Sequence, residues 1–152
     1  MSKTVIYAPD KFRSIFLAGS IEMGSAEEWQ KKVIADLSND WIILNPRRTD
    51  WDSSWEQSIE NAQFKEQVTW ELSCIERADV VLVYIDPATK APITLLEIGI
   101  LSQLKPSKTI VVCPDGYWRK GNVDVVADRY RLKQFISLDK AIYYINKYEV
   151  KL

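Results

Sequence analysis

One charge interrupts an otherwise uncharged stretch of this sequence. Between Pro92 and Leu104 the sole ionisable side chain is Glu97, set among apolar residues at 95, 96, 98, 100, 101 and 104. That spacing wraps much of a helix circumference and predicts a helix largely buried in a core. An unpaired charge is costly to bury, so Glu97 needs a reason to be there. Pro92 suits a first helical turn, which would put Glu97 near a helix N-terminus, where an anion is favoured. Two roles fit: an ionised carboxylate available as a nucleophile, or a structural glutamate that caps a backbone or pairs with an arginine. A second inward carboxylate precedes it. On a helix read from Ser58 to Arg77, the residues Phe64, Val68, Leu72 and Ile75 gather on one face, and Glu71 falls inside that face. It too could be structural, paired with an arginine such as Arg47.

Other candidate groups lie in loops. The segment from Asn45 to Ser58 packs Arg47, Arg48, Asp50, Trp51, Asp52 and Trp55 into a few residues. Tryptophan and arginine offer flat surfaces for stacking a base, and aspartates can read N–H edges or a sugar hydroxyl. The same residues could instead pin the loop with its own salt bridges. Ala18-Gly19-Ser20 after a strand can bring backbone N–H groups close to a sugar or phosphate, or form a plain turn. The sequence has no histidine, which excludes Ser-His-Asp and Cys-His catalysis and the usual zinc sites. Acid–base chemistry must therefore come from carboxylates, tyrosines, lysines or the substrate.

The elements that would position these groups alternate. Strands are expected at 4–8, 14–18, 41–44, 78–86, 108–113 and 135–137. Helices are expected from a capping box at Ser25 to Leu37, from Ser58 to Arg77, over 92–104, over 123–131 and over 138–148. Trp29, Val33 and Leu37 form the inner stripe of the first. This order predicts a doubly wound, mostly parallel α/β sheet of about five strands flanked by helices. In such sheets ligands bind beyond the carboxyl ends of the strands. With 152 residues, 47% hydrophobic and 27% charged, the chain suits a single soluble domain over 1–152. Net charge is −1 with no basic run, so no nucleic-acid polymer is expected as partner. No apolar stretch has transmembrane length, and no signal-peptide pattern opens the chain, so a cytoplasmic place and no membrane partner are expected. Cys74 and Cys113 show neither metal-ligand nor disulfide spacing.

Several of these motifs, in order, resemble the nucleoside 2-deoxyribosyltransferase-like proteins. They are 16–21 (Phe-Leu-Ala-Gly-Ser-Ile), 45–48 (Asn-Pro-Arg-Arg) with Trp51 and Trp55, the strand opening at Ala78, and 92–99 with its Glu-Ile-Gly. The resemblance runs from about Ser14 to Arg129 and implies a flavodoxin-like (Rossmann-like) fold. It implies that Glu97 is the nucleophile, that Glu71 orients nucleophile and sugar, and that Asn122 completes the site of a neighbouring subunit in a homo-oligomer. It implies substrate contacts from Phe16, Gly19, Ser20, Asn45, Arg47, Arg48, Asp50, Trp51 and Asp52, and no metal or other cofactor. One departure is clear. The family's proton-exchanging aspartate belongs in the loop before the nucleophile, and here the only acid is Asp86 at the strand end; Asp86, Asp50 or Asp52 is the expected substitute.

The implied reaction moves 2-deoxyribose between nucleobases through a covalent glycosyl-glutamate, by analogy with retaining glycoside hydrolysis. The partners are then a nucleoside or nucleotide and a free nucleobase. Two other readings use the same cleft. One is an N-glycosidase that hydrolyses a nucleoside or nucleotide, favoured if Arg47, Arg48 and Ser20 hold a 5′-phosphate. The other is a non-catalytic module that binds a nucleotide.

Overall fold

The computed structural model describes residues 13–21, 28–47, 52 and 54–147. Strand β1 (Arg13–Gly19) is followed by helix α1 (Trp29–Asp36), β2 (Trp41–Leu44), α2 (Ala62–Arg77), β3 (Val80–Tyr84) and α3 (Pro92–Leu104). A short 3-10 turn (Pro106–Lys108) leads to β4 (Thr109–Val112), α4 (Lys120–Tyr130), β5 (Lys133–Phe135) and α5 (Leu138–Lys147). The five strands are all parallel in the order β2-β1-β3-β4-β5. This is the flavodoxin-like order, whose switch point lies between β1 and β3.

The central strands are apolar on both faces because both are covered. Alternation divides them: Phe16, Ala18, Val81, Val83 and Val111 face α2, α3 and α4. Ile15, Leu17, Val80, Leu82 and Ile110 face α1 and α5, where Trp29, Val33 and Leu37 are buried as read. At the carboxyl end of β1, Gly19 pairs with Tyr84 and adopts φ +144°. A Cβ there would stand 2.1 Å from the Tyr84 carbonyl oxygen, so this corner of the fold requires glycine.

Several elements differ from expectation. Helix α2 starts at Ala62, four residues after Ser58, because Asn61 caps it: the Phe64 N–H donates to Asn61 Oδ1 at 2.9 Å. Its inward stripe is also rotated, for Leu72 is exposed while Gln67, Cys74 and Ile75 are buried. Helix α3 has the expected bounds, yet it is buried along one side only. Thr94, Glu97, Ile98 and Leu101 face inward, and Ile93 and Leu96 are each 61% exposed. Helix α4 begins at Lys120, so Asn122 stands in its first turn rather than in a loop. A left-handed Arg131 (φ 60°) ends α4, and the chain enters β5 two residues before Phe135. Expected strand 4–8 and Ser25 of the capping box lie outside the described residues.

Candidate active site

The loop joining β3 to α3 is built by hydrogen bonds among Ser20, Asp86 and Thr89. Ser20 Oγ accepts the Asp86 N–H at 2.9 Å, and the Asp86 carbonyl accepts both the N–H (3.0 Å) and the hydroxyl (2.8 Å) of Thr89. With the Thr89 proton so placed, the Ser20 hydroxyl donates to Thr89 Oγ1 at 3.0 Å. The Ser20 N–H donates to the Tyr84 carbonyl, and Trp29 Nε1 donates to the Ser20 carbonyl at 3.1 Å. The end of β1 is thereby locked to the end of β3. Ser20 is 1% exposed, so its hydroxyl serves this clamp. The Asp86 carboxylate closes its own turn, with Oδ1 accepting the Ala88 N–H at 2.9 Å. The loop then passes through a left-handed Ala91 into Pro92 at the first turn of α3. Tyr117, from the loop after β4, donates its hydroxyl to the Lys90 carbonyl at 2.6 Å.

From this support α3 carries Glu97 inward. The side chain is 9% exposed, and Oε2 is buried with no hydrogen-bond partner among the described residues. Burial, and then the negative charge of Glu71, raise its pKa to about 8. The free protein thus holds Glu97 protonated at neutral pH, where an ionised carboxylate was expected. The reason is position: Glu97 lies in the second turn of α3, beyond the reach of the helix N-terminal field. Glu71 sits across from it on α2, half-buried. Its Oε1 accepts a hydrogen bond from Gln67 Nε2 at 2.8 Å. Burial raises the Glu71 pKa, and the Gln67 bond works against that rise. Two carboxylates close together in a poorly solvated interior resist carrying two charges.

The remaining candidates take other places. Phe16 is in the core, its ring edge-on to Trp70 at 6.1 Å. Asn45 makes a local turn, Oδ1 accepting the Arg47 N–H at 3.0 Å, and Arg47 Nη1 points to Gln30 Oε1 at 3.5 Å. Asp52 is exposed and binds Ser54 through its N–H (2.9 Å) and hydroxyl (2.6 Å), which holds its carboxyl below the usual range. Arg48, Asp50 and Trp51 lie outside the described residues. Asn122 is exposed and lines a groove of about 360 Å³ between α3 and α4, with Leu95, Ile98, Gly99, Trp118, Arg119, Val123 and Val126. Neither carboxylate opens into that groove. Leu95 and Gly99 are about 160° from Glu97 round the helix, so Asn122 and Glu97 of one chain stand on opposite flanks of α3.

The structure therefore brings Glu71 and Glu97 together and leaves Asn122 apart. It also adds Gln67, which the sequence reading passed over; the available signal was its place four residues before Glu71 on one stripe. Residues 13–117 match the family described as nucleoside 2-deoxyribosyltransferase like, a span that includes both glutamates and ends before Asn122. No curated protein matches the chain.

Proposed function

Since the chain belongs to the nucleoside 2-deoxyribosyltransferase-like family, we propose that it moves 2-deoxyribose between nucleobases through a covalent intermediate on Glu97. The observation that supports this most directly is a buried glutamate whose Oε2 has no partner among the described residues, set close to a second carboxylate beside the switch point of the sheet. In this mechanism Glu97, once ionised, attacks C1′ as the C–N bond opens. The bonding pair leaves with the base, which takes up a proton, and a glycosyl ester remains on Glu97. A second base then attacks C1′ through a ring nitrogen, gives its N–H proton back to the acid that protonated the first base, and the Glu97 carboxylate is released. Glu71 orients the nucleophile and the sugar without forming a bond. The proton that the leaving base takes up is assigned to Asp86, whose Oδ1 accepts the Ala88 N–H.

Ile93, Leu96 and Leu104 are all more than half exposed on α3, as are Trp118 just before α4 and Val125 on it. Large apolar side chains exposed along one helix suit an interface. Round α3, Leu96 lies between Glu97 and the groove-lining Gly99. A second copy packed on this side of α3 about a two-fold axis would carry its own Asn122 toward the first copy's Glu97.

The test incubates the protein with a 2′-deoxynucleoside and a second free base, followed by intact-protein mass measurement. Exchange together with a deoxyribosyl adduct on Glu97 is the expected result. Free deoxyribose without exchange would make the protein an N-glycosidase, and neither product would leave only nucleotide binding. Glu97→Ala should lose several orders of magnitude in rate while remaining folded.

A further inference from the structure

Helix α2 carries a second polar residue on its inward stripe. Gln67 is 7% exposed, and a long amide side chain held in the interior loses rotamer freedom and hydration unless its polar atoms are bonded. Its Nε2 meets Glu71 Oε1 at 2.8 Å, across the i,i+4 spacing that stacks two side chains on one helix face. An N–H aimed at a carboxylate oxygen favours the ionised form and fixes the rotation of the carboxylate. Among the described residues, the titratable groups facing Glu71 are Cys74 on the same helix and Glu97 on α3. The strands beneath contribute Phe16, Ala18, Val81 and Val83, none of which titrates. Cys74 is itself held neutral, its thiol pushed up to about 11 first by burial and then by Glu71. Gln67 is the one described hydrogen-bond donor to this carboxylate pair.

We propose that Gln67 is a positioning residue that acts through Glu71, its amide keeping that carboxylate turned into the cleft and able to carry charge opposite Glu97. The inference rests on Glu71 and Glu97 sharing one catalytic site, as proposed above. Without the amide, Glu71 loses the group that favours its ionised form and keeps its proton to higher pH. It is also free to rotate away from Glu97.

The experiment pairs a titration with kinetics. In protein labelled with 13C at the glutamate carboxyls, the Glu71 resonance is assigned from its loss in Glu71→Gln and followed against pH in the wild type and in Gln67→Leu. Base exchange is measured for Gln67→Leu, Glu71→Gln and the double variant. The Glu71 midpoint should move to higher pH in Gln67→Leu, and kcat should fall about tenfold or more with KM little changed. The double variant should be no slower than Glu71→Gln alone. A Glu71 midpoint that stays where it was, or penalties that multiply in the double variant, would overturn the proposal. If Gln67→Leu does not fold, Gln67→Met keeps the side-chain length without the donor and is tested in its place. If no form of the protein turns over a nucleoside, the titration still decides the role of Gln67, while the exchange reaction itself is refuted.

Discussion

Glu97 holds its proton to about pH 8, and a nucleophile must lose that proton before it attacks. The kcat/KM of the wild type should therefore rise with pH, reach half its plateau near pH 8 and level off above it, since this constant reports ionisation of the free enzyme. Glu71→Gln removes the charge that helps to raise Glu97, so its limb should lie at lower pH. Its maximal rate should be much reduced yet above that of Glu97→Ala; a limb that does not move would uncouple the two residues. The same proton affects stability. Below the ordinary glutamate value of 4.5, folded and unfolded chains both hold it. As pH rises toward 8, the unfolded chain ionises while the folded one does not, so stability falls across that window and then levels. Glu97→Gln should be more stable than the wild type by on the order of a few kcal/mol at pH 8. Thermal melts at pH 4.5 and 8 check this: the difference should be small at the lower pH and largest at the higher.

Two elements meet at the corner that holds the loop before α3, and glycine makes the meeting possible. An alanine at 19 would press its methyl into the Tyr84 carbonyl while adopting φ +144°. Gly19→Ala should cost about 3 kcal/mol or more, read as a lowered denaturant midpoint, and should reduce turnover because Ser20, Asp86 and Thr89 move with the strand end. Gly121→Ala, in the first turn of α4, is the control: its methyl meets nothing within 4 Å. It should be neutral or gain up to about 1 kcal/mol. Equal losses in both variants would mean that the β1–β3 corner is looser than its hydrogen bonds indicate.

At the scale of the whole molecule, the pairing of subunits proposed above predicts how variant chains combine. An inactive Glu97→Ala chain and an inactive Asn122→Ala chain, refolded or co-expressed together, should regain part of the exchange activity. Some sites would then combine an intact Glu97 with an intact Asn122. Leu96→Glu places a charge on the exposed stripe of α3 and should yield a folded, inactive monomer by sedimentation. Mixed oligomers without recovered activity, or an active monomer, would leave Glu97 working with residues of its own chain alone.

Sequence alone determined the parallel α/β architecture, because alternating apolar strands and amphipathic helices leave few ways to cover both faces of a sheet. It also determined that Glu71 and Glu97 point inward, since helical periodicity fixes which face a residue shares with its apolar neighbours. Their ionisation was decided by tertiary structure. Burial and the distance between helices set whether a carboxylate holds a proton, and no spacing within one helix encodes either. The same holds for Ser20 and Asp86, which are polar residues at strand ends in the sequence and become partners in a clamp only once β1 and β3 lie side by side. The exposed side of α3 was hidden for a related reason: an apolar helix reads alike whether its second face meets its own chain or another. Gln67 shared a stripe with Glu71 in the sequence, but its meaning depended on how deeply α2 sits on the sheet. Desolvation turns an ordinary amide–carboxylate contact into one that governs charge.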